Sequence, residues 1–318
     1  MNSVYFDSAA TSQMRKEVID RVYEVMKNTF GNPSSTHSYG RSSKSIIENT
    51  RKTISKQLGC AATEIIFTSG GTEADNLILN SCVRDLGVQR IISSKIEHHA
   101  VLHTIDELHK NYGIEPVYLN LNTCGEIDYE QLERLLQDSS KKTLVSLMHV
   151  NNEIGTMLDI ERVAKMTQAS GALFHSDTVQ SVGHFELDLS KVGVDFIVAA
   201  AHKFHGPKGV GFAFIRKNSG LQSLIFGGQQ ERGLRAGTEA VHNIAGLETA
   251  FELAYLHLEK EKKYILDLKN YFIDALKKHI PGVKFNGACT DASKSTYTLL
   301  NVCLPISPEK ALMLLFQL

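Results

Sequence analysis

The sequence predicts an α/β protein: a large domain built on a mostly parallel seven-stranded sheet flanked by helices, followed by an incomplete small α/β domain. Three observations predict it. Short apolar runs of strand length alternate with amphipathic stretches of helix length through the first two-thirds of the chain, which implies parallel strands covered on both faces. Near Thr238 the apolar spacing changes to a sustained three- and four-residue period. A proline–glycine break then precedes one more short apolar run.

In chain order, residues 65–68, 90–93, 117–119, 144–149, 173–175, 196–199 and 210–215 read as strands. Residues 42–58, 100–111, 129–137 and 160–170 read as the helices between them. Asp128 with Gln131 has the spacing of a capping box at the start of one helix. From Ile244, apolar residues recur through Leu258 and on to Leu276, so one long helix is expected, with the EKEKK run at 259–263 on its solvated side. Pro281-Gly282 ends that helix, and residues 298–303 read as a strand of the small domain. Ser307 offers an N-cap, with Pro308 at the first helical position. The boundaries drawn are 1–240 for the large domain with its N-terminal arm, and 241–318 for the connecting helix and a partial small domain. The sequence stops at Leu318 inside an apolar pattern with no C-cap, so the expectation is of a chain cut short.

Composition narrows the function. The chain has 318 residues, 42% apolar and 22% charged, with a net charge of −1 and no clustered basic patch. Nucleic acid and anionic membranes are therefore not expected as partners. The N-terminus lacks a signal-peptide pattern, and the apolar run at 311–316 is too short to cross a bilayer. Five scattered cysteines (Cys60, Cys82, Cys124, Cys289, Cys303) suggest neither a disulfide framework nor a structural zinc, so a reducing cytoplasm is the expected setting.

Five segments carry chemistry, each at the end of a strand. In VAAAHKFHGPKGVG, Lys203 follows an apolar strand; burial lowers a lysine's pKa and makes it an amine able to form a Schiff base. Lys208 sits among glycine and proline and is the weaker candidate; a surface lysine at a strand end is the alternative reading. In LFHSDTVQSVG, Asp177 needs a cationic partner if buried, and a protonated pyridine nitrogen is one; a helix N-cap is the alternative. Gln180 could reach the same ring. In FTSGGTEADN, Gly71 and Thr72 open a helix whose free N–H groups suit a phosphate. In SKIEHHA, His98 could lie over an aromatic ring and move protons. His99 and His103 share i,i+4 spacing, but no glutamate completes an H-E-x-x-H pattern and no metal is expected. VNNEIG offers the amide of Asn152. Their strand-end placement brings all five segments to one edge of one sheet.

Taken together, FTSGGTEADN, EHHAVL, VNNEIGT, HSDTVQSVG, AHKFHGPKGVG and GGQQERGLRAGT, with YFDSAAT and GNPSSTHSYG before them, resemble the successive motifs of cysteine desulfurases in the class V aminotransferase superfamily. The resemblance runs from Tyr5 to about Leu318, and its GPKG and GGQQERGLRAGT segments are similar to the subgroup serving iron–sulfur assembly and tRNA thiolation. It implies pyridoxal 5′-phosphate as cofactor and L-cysteine as substrate. It implies that Lys203 holds the cofactor and moves the substrate's α-proton, aided by His98. It also implies that Asp177 pairs with the ring nitrogen, Gln180 donates to the phenolic oxygen, and Asn152 orients the substrate. Gly71, Thr72 and His202 would cradle the phosphate, and Thr238 would reach the phosphate of a neighbouring subunit in a homodimer. An iron–sulfur scaffold or another sulfur acceptor would be the protein partner.

Ala200 departs from that pattern where a phosphate-binding serine is usual, and Ser12 stands where proline is usual. The loop bearing the persulfide cysteine and the arginine for the substrate carboxylate are not in the sequence, and none of the five cysteines matches the former. The expectation is therefore of a desulfurase inactive as it stands. Another class V lyase or aminotransferase, or a non-catalytic relative, is the alternative.

Overall fold

A computed structural model describes residues 4–307, 309 and 310. Its elements are α1 (Lys16–Asn28), α2 (Ser38–Leu58), β1 (Ile65–Thr68), α3 (Gly71–Arg84), β2 (Arg90–Ser93), α4 (His99–Tyr112), β3 (Glu115–Tyr118), α5 (Tyr129–Gln137), β4 (Thr143–Ser146), α6 (Ile160–Ser170), β5 (Leu173–Asp177), β6 (Phe196–Ala200), β7 (Gly211–Ile215), α7 (Val241–Leu256), α8 (Leu258–His279), β8 (Lys284–Phe285) and β9 (Val302–Cys303).

The first seven strands form one sheet in the order β1-β7-β6-β5-β4-β2-β3, parallel except for β7, which runs antiparallel to both β1 and β6. Strands β1, β2, β4, β6 and β7 are buried along their whole length, as expected for a sheet covered on both faces. One apolar cluster, with Phe174, Phe212, Phe214 and Phe251, packs beneath α2 and α7; the other, with Ile78, Ile105 and Phe196, packs beneath α3 and α4. Helix ends follow local chemistry. Asp159 accepts from the Arg162 N–H at 3.0 Å to open α6, and Gly171 closes it at φ +73°.

Four expectations change. The single long helix is two, because α7 stops at Leu256 and α8 starts at Leu258 around His257 (φ −105°, ψ 5°). The strand expected at 298–303 is paired only at Val302–Cys303, against β8. Residues just before it are drawn elsewhere: Thr156 bridges Ser295, and the Thr296 N–H donates to the Gly155 carbonyl at 2.8 Å. The capping box is half made. Asp128 accepts from the Gln131 N–H at 2.9 Å, but the Gln131 side chain accepts from the Asn120 N–H at 2.7 Å instead of returning to Asp128. Helix α1 had no counterpart in the sequence reading. Ser307 accepts from the Lys310 N–H at 3.4 Å, as an N-cap does; Pro308 and the apolar run at 311–316 lie outside the described residues. Among the described residues no helix is long and apolar enough to cross a membrane.

Candidate active site

The carboxyl ends of the parallel strands open into a cavity of about 890 Å³. Eight of the residues singled out from sequence line it: Gly71, Thr72, His98, Asn152, Asp177, Gln180, His202 and Lys203. Thr238 does not; it is exposed on the segment between Gly233 and α7. Residues of the N-terminal arm (Phe6, Asp7, Ala9, Ala10) and the strap at 298–302 form other parts of the wall.

Each side chain is delivered by its element. Asp177 is the last residue of β5, buried, with Oδ1 accepting the Val179 N–H at 2.9 Å in a tight turn; no helix follows, which removes the N-cap alternative. Burial pushes its pKa up to about 7, and the neighbouring Asp75 adds to this. Lys203 ends a short helical turn after β6, and Nζ donates to the carbonyls of Ala9 (2.6 Å) and Ala10 (2.9 Å). Burial lowers its pKa, against the pull of Asp177, Asp7 and Glu153. Gln180 Nε2 donates to the same Ala9 carbonyl at 3.0 Å. Lys208 is exposed, outside the cavity.

His98 caps α4, with Nδ1 accepting from the Ala100 N–H at 3.1 Å. The neutral ring therefore carries its proton on Nε2. His202 Nδ1 lies 3.2 Å from Thr11 Oγ1, and burial lowers its pKa to about 4. Asn152 Nδ2 donates to Glu153 Oε1 at 2.9 Å.

At the start of α3, Gly70 holds φ +153°, ψ −174°, a region open essentially to glycine alone. A Cβ on Gly71 would lie 2.7 Å from Val179 Cγ2, so only glycine lets this helix start approach the Asp177 turn so closely. The first N–H groups of a helix lack intrahelical partners, which makes an anion cradle beside Thr72 and His202.

This donor set fits pyridoxal phosphate. Asp177 offers its second oxygen, free of hydrogen bonds among the described residues, to a cationic ring nitrogen; an anion cradle and a primary amine complete the set. No cysteine lines the cavity. Burial pushes the Cys60 thiol up to about 12 and the Cys82 thiol higher still, so neither is a ready thiolate.

Sequence reasoning missed Asp75, which lines the cavity floor, and the Ala9 and Ala10 carbonyls that hold Lys203. Asp75 was readable in principle, since it follows Gly71 and Thr72 by four and three residues and so shares their helix face. The one group of three convergent metal-type donors among the described residues is Asp75, His98 and Asp177, with ligand atoms within 4.8 Å of one another. The i,i+4 pair His99 and His103 is not part of it.

Comparison with known proteins places this geometry. The family described as Aminotransferase class-V matches residues 4–315. A protein named cysteine desulfurase IscS from Dictyoglomus turgidum is 43% identical over 286 residues, covering 89% of this chain and 72% of that protein. A putative cysteine desulfurase IscS 1 from Bacillus subtilis is 38% identical over 316 residues, covering 98% of this chain and 82% of that protein. A solved structure titled as a NifS-like protein superposes with a TM-score of 0.92 at 34% identity, covering 99% of this chain and 86% of that one.

Proposed function

The chain belongs to the aminotransferase class-V family and, within it, to the pyridoxal-phosphate-dependent cysteine desulfurases, and from that premise we propose how its own residues serve the conversion of L-cysteine to L-alanine with transfer of sulfur to a thiol. The observation that carries the reading is the convergence of Asp177, Gln180, His98 and Lys203 on one cavity beside a helix N-terminus. Pyridoxal phosphate, when bound, supplies the electron sink that lets the bonds at the substrate's Cα and Cβ be loosened.

The rest falls to side chains. Lys203 is the amine that holds the cofactor, and its lowered pKa keeps a neutral fraction available to take the α-proton at Nζ. His98 exchanges protons through Nε2, because Nδ1 is committed to the Ala100 N–H. Asp177 meets the ring nitrogen, and ion pairing there returns its raised pKa to the carboxylate range. Gln180 donates to the ring oxygen, and Asn152 orients the substrate. His202, neutral because of its burial, gives the phosphate a hydrogen bond and no charge. Thr72 and the N–H groups of Gly71 and its successors complete the cradle, with Ala200 contributing no hydroxyl. Thr238, exposed outside the cavity, serves a second subunit, so the working form is a homodimer. None of the five cysteines reaches the cavity, so the sulfur-accepting thiol is another one. The resemblance to the iron–sulfur and tRNA-thiolation subgroup makes a scaffold or acceptor protein in the cytoplasm the destination of the sulfur. Residues 1–240 act as the cofactor domain, and 241–318 as the connecting helical segment, whose α7 packs into that domain's core, and part of a smaller domain.

The test adds L-cysteine to the cofactor-loaded protein and follows the cofactor absorbance and the amino acid formed. A saturable spectral change with L-cysteine is expected, with L-alanine the product whenever a thiol acceptor completes the turnover. A keto acid in place of alanine, or no spectral response to L-cysteine, contradicts the reading.

A further inference from the structure

Asp75 stands on α3 one helical turn past Gly71 and Thr72, so helix geometry aims it at the cavity floor. Its side chain is 1% exposed, and Oδ1 has no hydrogen-bond partner among the described residues. That oxygen faces His175 Nε2 at 3.3 Å, an atom equally without a hydrogen bond. His175 precedes Asp177 by two positions on β5, so strand alternation presents both side chains on one face of the sheet. The other ring nitrogen, Nδ1, lies 2.9 Å from Ser146 Oγ on the adjacent strand β4. A line of polar groups thus runs from the sheet interior to the cavity: Ser146, His175, Asp75.

Asp75 and Asp177 bring carboxylate oxygens within 4.8 Å of each other in a buried place. Two such groups do not both ionise, and which keeps the proton depends on what else each one touches. Asp177 receives the Val179 N–H and lies beside His98, and Lys203 lies across the cavity. Glu97, the remaining carboxyl near them, is itself held largely protonated by burial. Among the described residues Asp75 receives no N–H and no cation, and burial is what acts on it. His175 stays neutral because burial lowers its pKa to about 4, so Nε2 is free to accept when Nδ1–H donates to Ser146.

We propose that Asp75 is a positioning residue: it keeps the proton that the two adjoining aspartates cannot both lose and directs it to His175 Nε2, leaving Asp177 as the one anion for the ring nitrogen. The inference rests on the reading of Asp177 given above and extends it. A charged Asp75 would compete for the ring nitrogen or repel the electron density that the ring must accept, and a neutral one does neither. Asp75 makes no covalent step; the balance is one proton kept on Oδ1.

The experiment uses protein carrying a carboxyl ¹³C label in aspartate, read by infrared spectroscopy at neutral pH without cofactor, together with a fluorescence titration by pyridoxal phosphate. The wild type shows a protonated-acid carbonyl band, Asp75→Asn loses most of it, and Asp177→Asn keeps most of it. Asp75→Asn, an amide mimic of the neutral acid, keeps cofactor affinity within about tenfold, the effect of one pKa unit at the ring nitrogen, whereas Asp177→Asn loses more. A wild type without the band, a band surviving in Asp75→Asn at wild-type strength, or an Asp75→Asn protein as weak for the cofactor as Asp177→Asn overturns the proposal. A wild type that shows the band but binds no pyridoxal phosphate instead sinks the reading of the cavity, so the two failures are distinct.

Discussion

The sheet and the C-terminal wall of the cavity are each pinned by a buried cation, and the two pins differ in kind. Arg51 on α2 is 2% exposed and grips Glu231 through two hydrogen bonds, 2.8 and 2.9 Å, while Glu231 also accepts the Phe67 N–H of β1 at 2.8 Å. Glu231 and Arg232 hold left-handed backbone (φ +47° and +58°), a conformation side chains resist, so this loop needs a strong anchor. Lys269 on α8 is 8% exposed and among the described residues has only neutral partners: the Thr296 carbonyl at 2.7 Å and Ser295 Oγ at 3.4 Å. Burial lowers its pKa. The loop leading to Thr238 is thus fixed by a complete ion pair, and the segment 295–296 that leads into the strap by a lysine that no carboxylate pairs with among the described residues. The difference teaches that the sheet end is held by a buried charge pair, while the segment leading into the opposite wall is held by neutral hydrogen bonds alone.

Breaking the stronger pin should have the largest effect. Glu231→Gln leaves buried Arg51 with only the part-exposed Glu48, 3.3 Å from its Nε, as countercharge and should cost about 3–5 kcal/mol of stability, read by denaturant unfolding. A loss no larger than that of Lys269→Met, about 1–3 kcal/mol, would show that the two pins are equivalent after all.

The next effect separates the regions by pH. Glu97, against the sheet end, accepts hydrogen bonds from Ser94 Oγ and the Met148 N–H, yet burial raises its pKa from 4.5 to about 8. Its folded value lies above its unfolded one, so the stability it contributes is full below pH 4.5 and fades as pH rises toward 8. Between pH 5 and 7 the wild type should lose up to about 3 kcal/mol relative to Glu97→Gln, which has no such proton to lose. Parallel stability–pH curves for the two proteins would contradict this.

The smallest effect concerns the weaker pin. Lys269→Met strands the Thr296 carbonyl and should cost about 1–3 kcal/mol. Hydrogen exchange should quicken at residues 284–303 and stay unchanged in the central strands. Faster exchange throughout the sheet would mean that the wall and the sheet are one cooperative unit.

The same contrast governs what was legible in the sequence. The seven central strands declare themselves because apolar runs such as IIFT and RIIS have no other use, and strand-end chemistry follows from that topology, so Lys203, Asp177, Gln180 and His98 could be placed together. Asp75 was missed, because its i,i+4 and i,i+3 spacing from Gly71 and Thr72 shows a shared helix face but not its burial. The break at His257 escaped as well, since the apolar spacing runs through it unbroken. The strap was misread as a longer strand because its fixing points, Gly155, Thr156 and Lys269, lie far from it in sequence.

The central claim is that the strand-end cavity binds pyridoxal phosphate through Lys203. Borohydride reduction of the cofactor-loaded protein, followed by peptide mapping, tests it most directly. The account predicts one labelled site, Lys203, and none in Lys203→Ala. Label on Lys208 or another lysine, or no label on a protein that has taken up the cofactor, would contradict it.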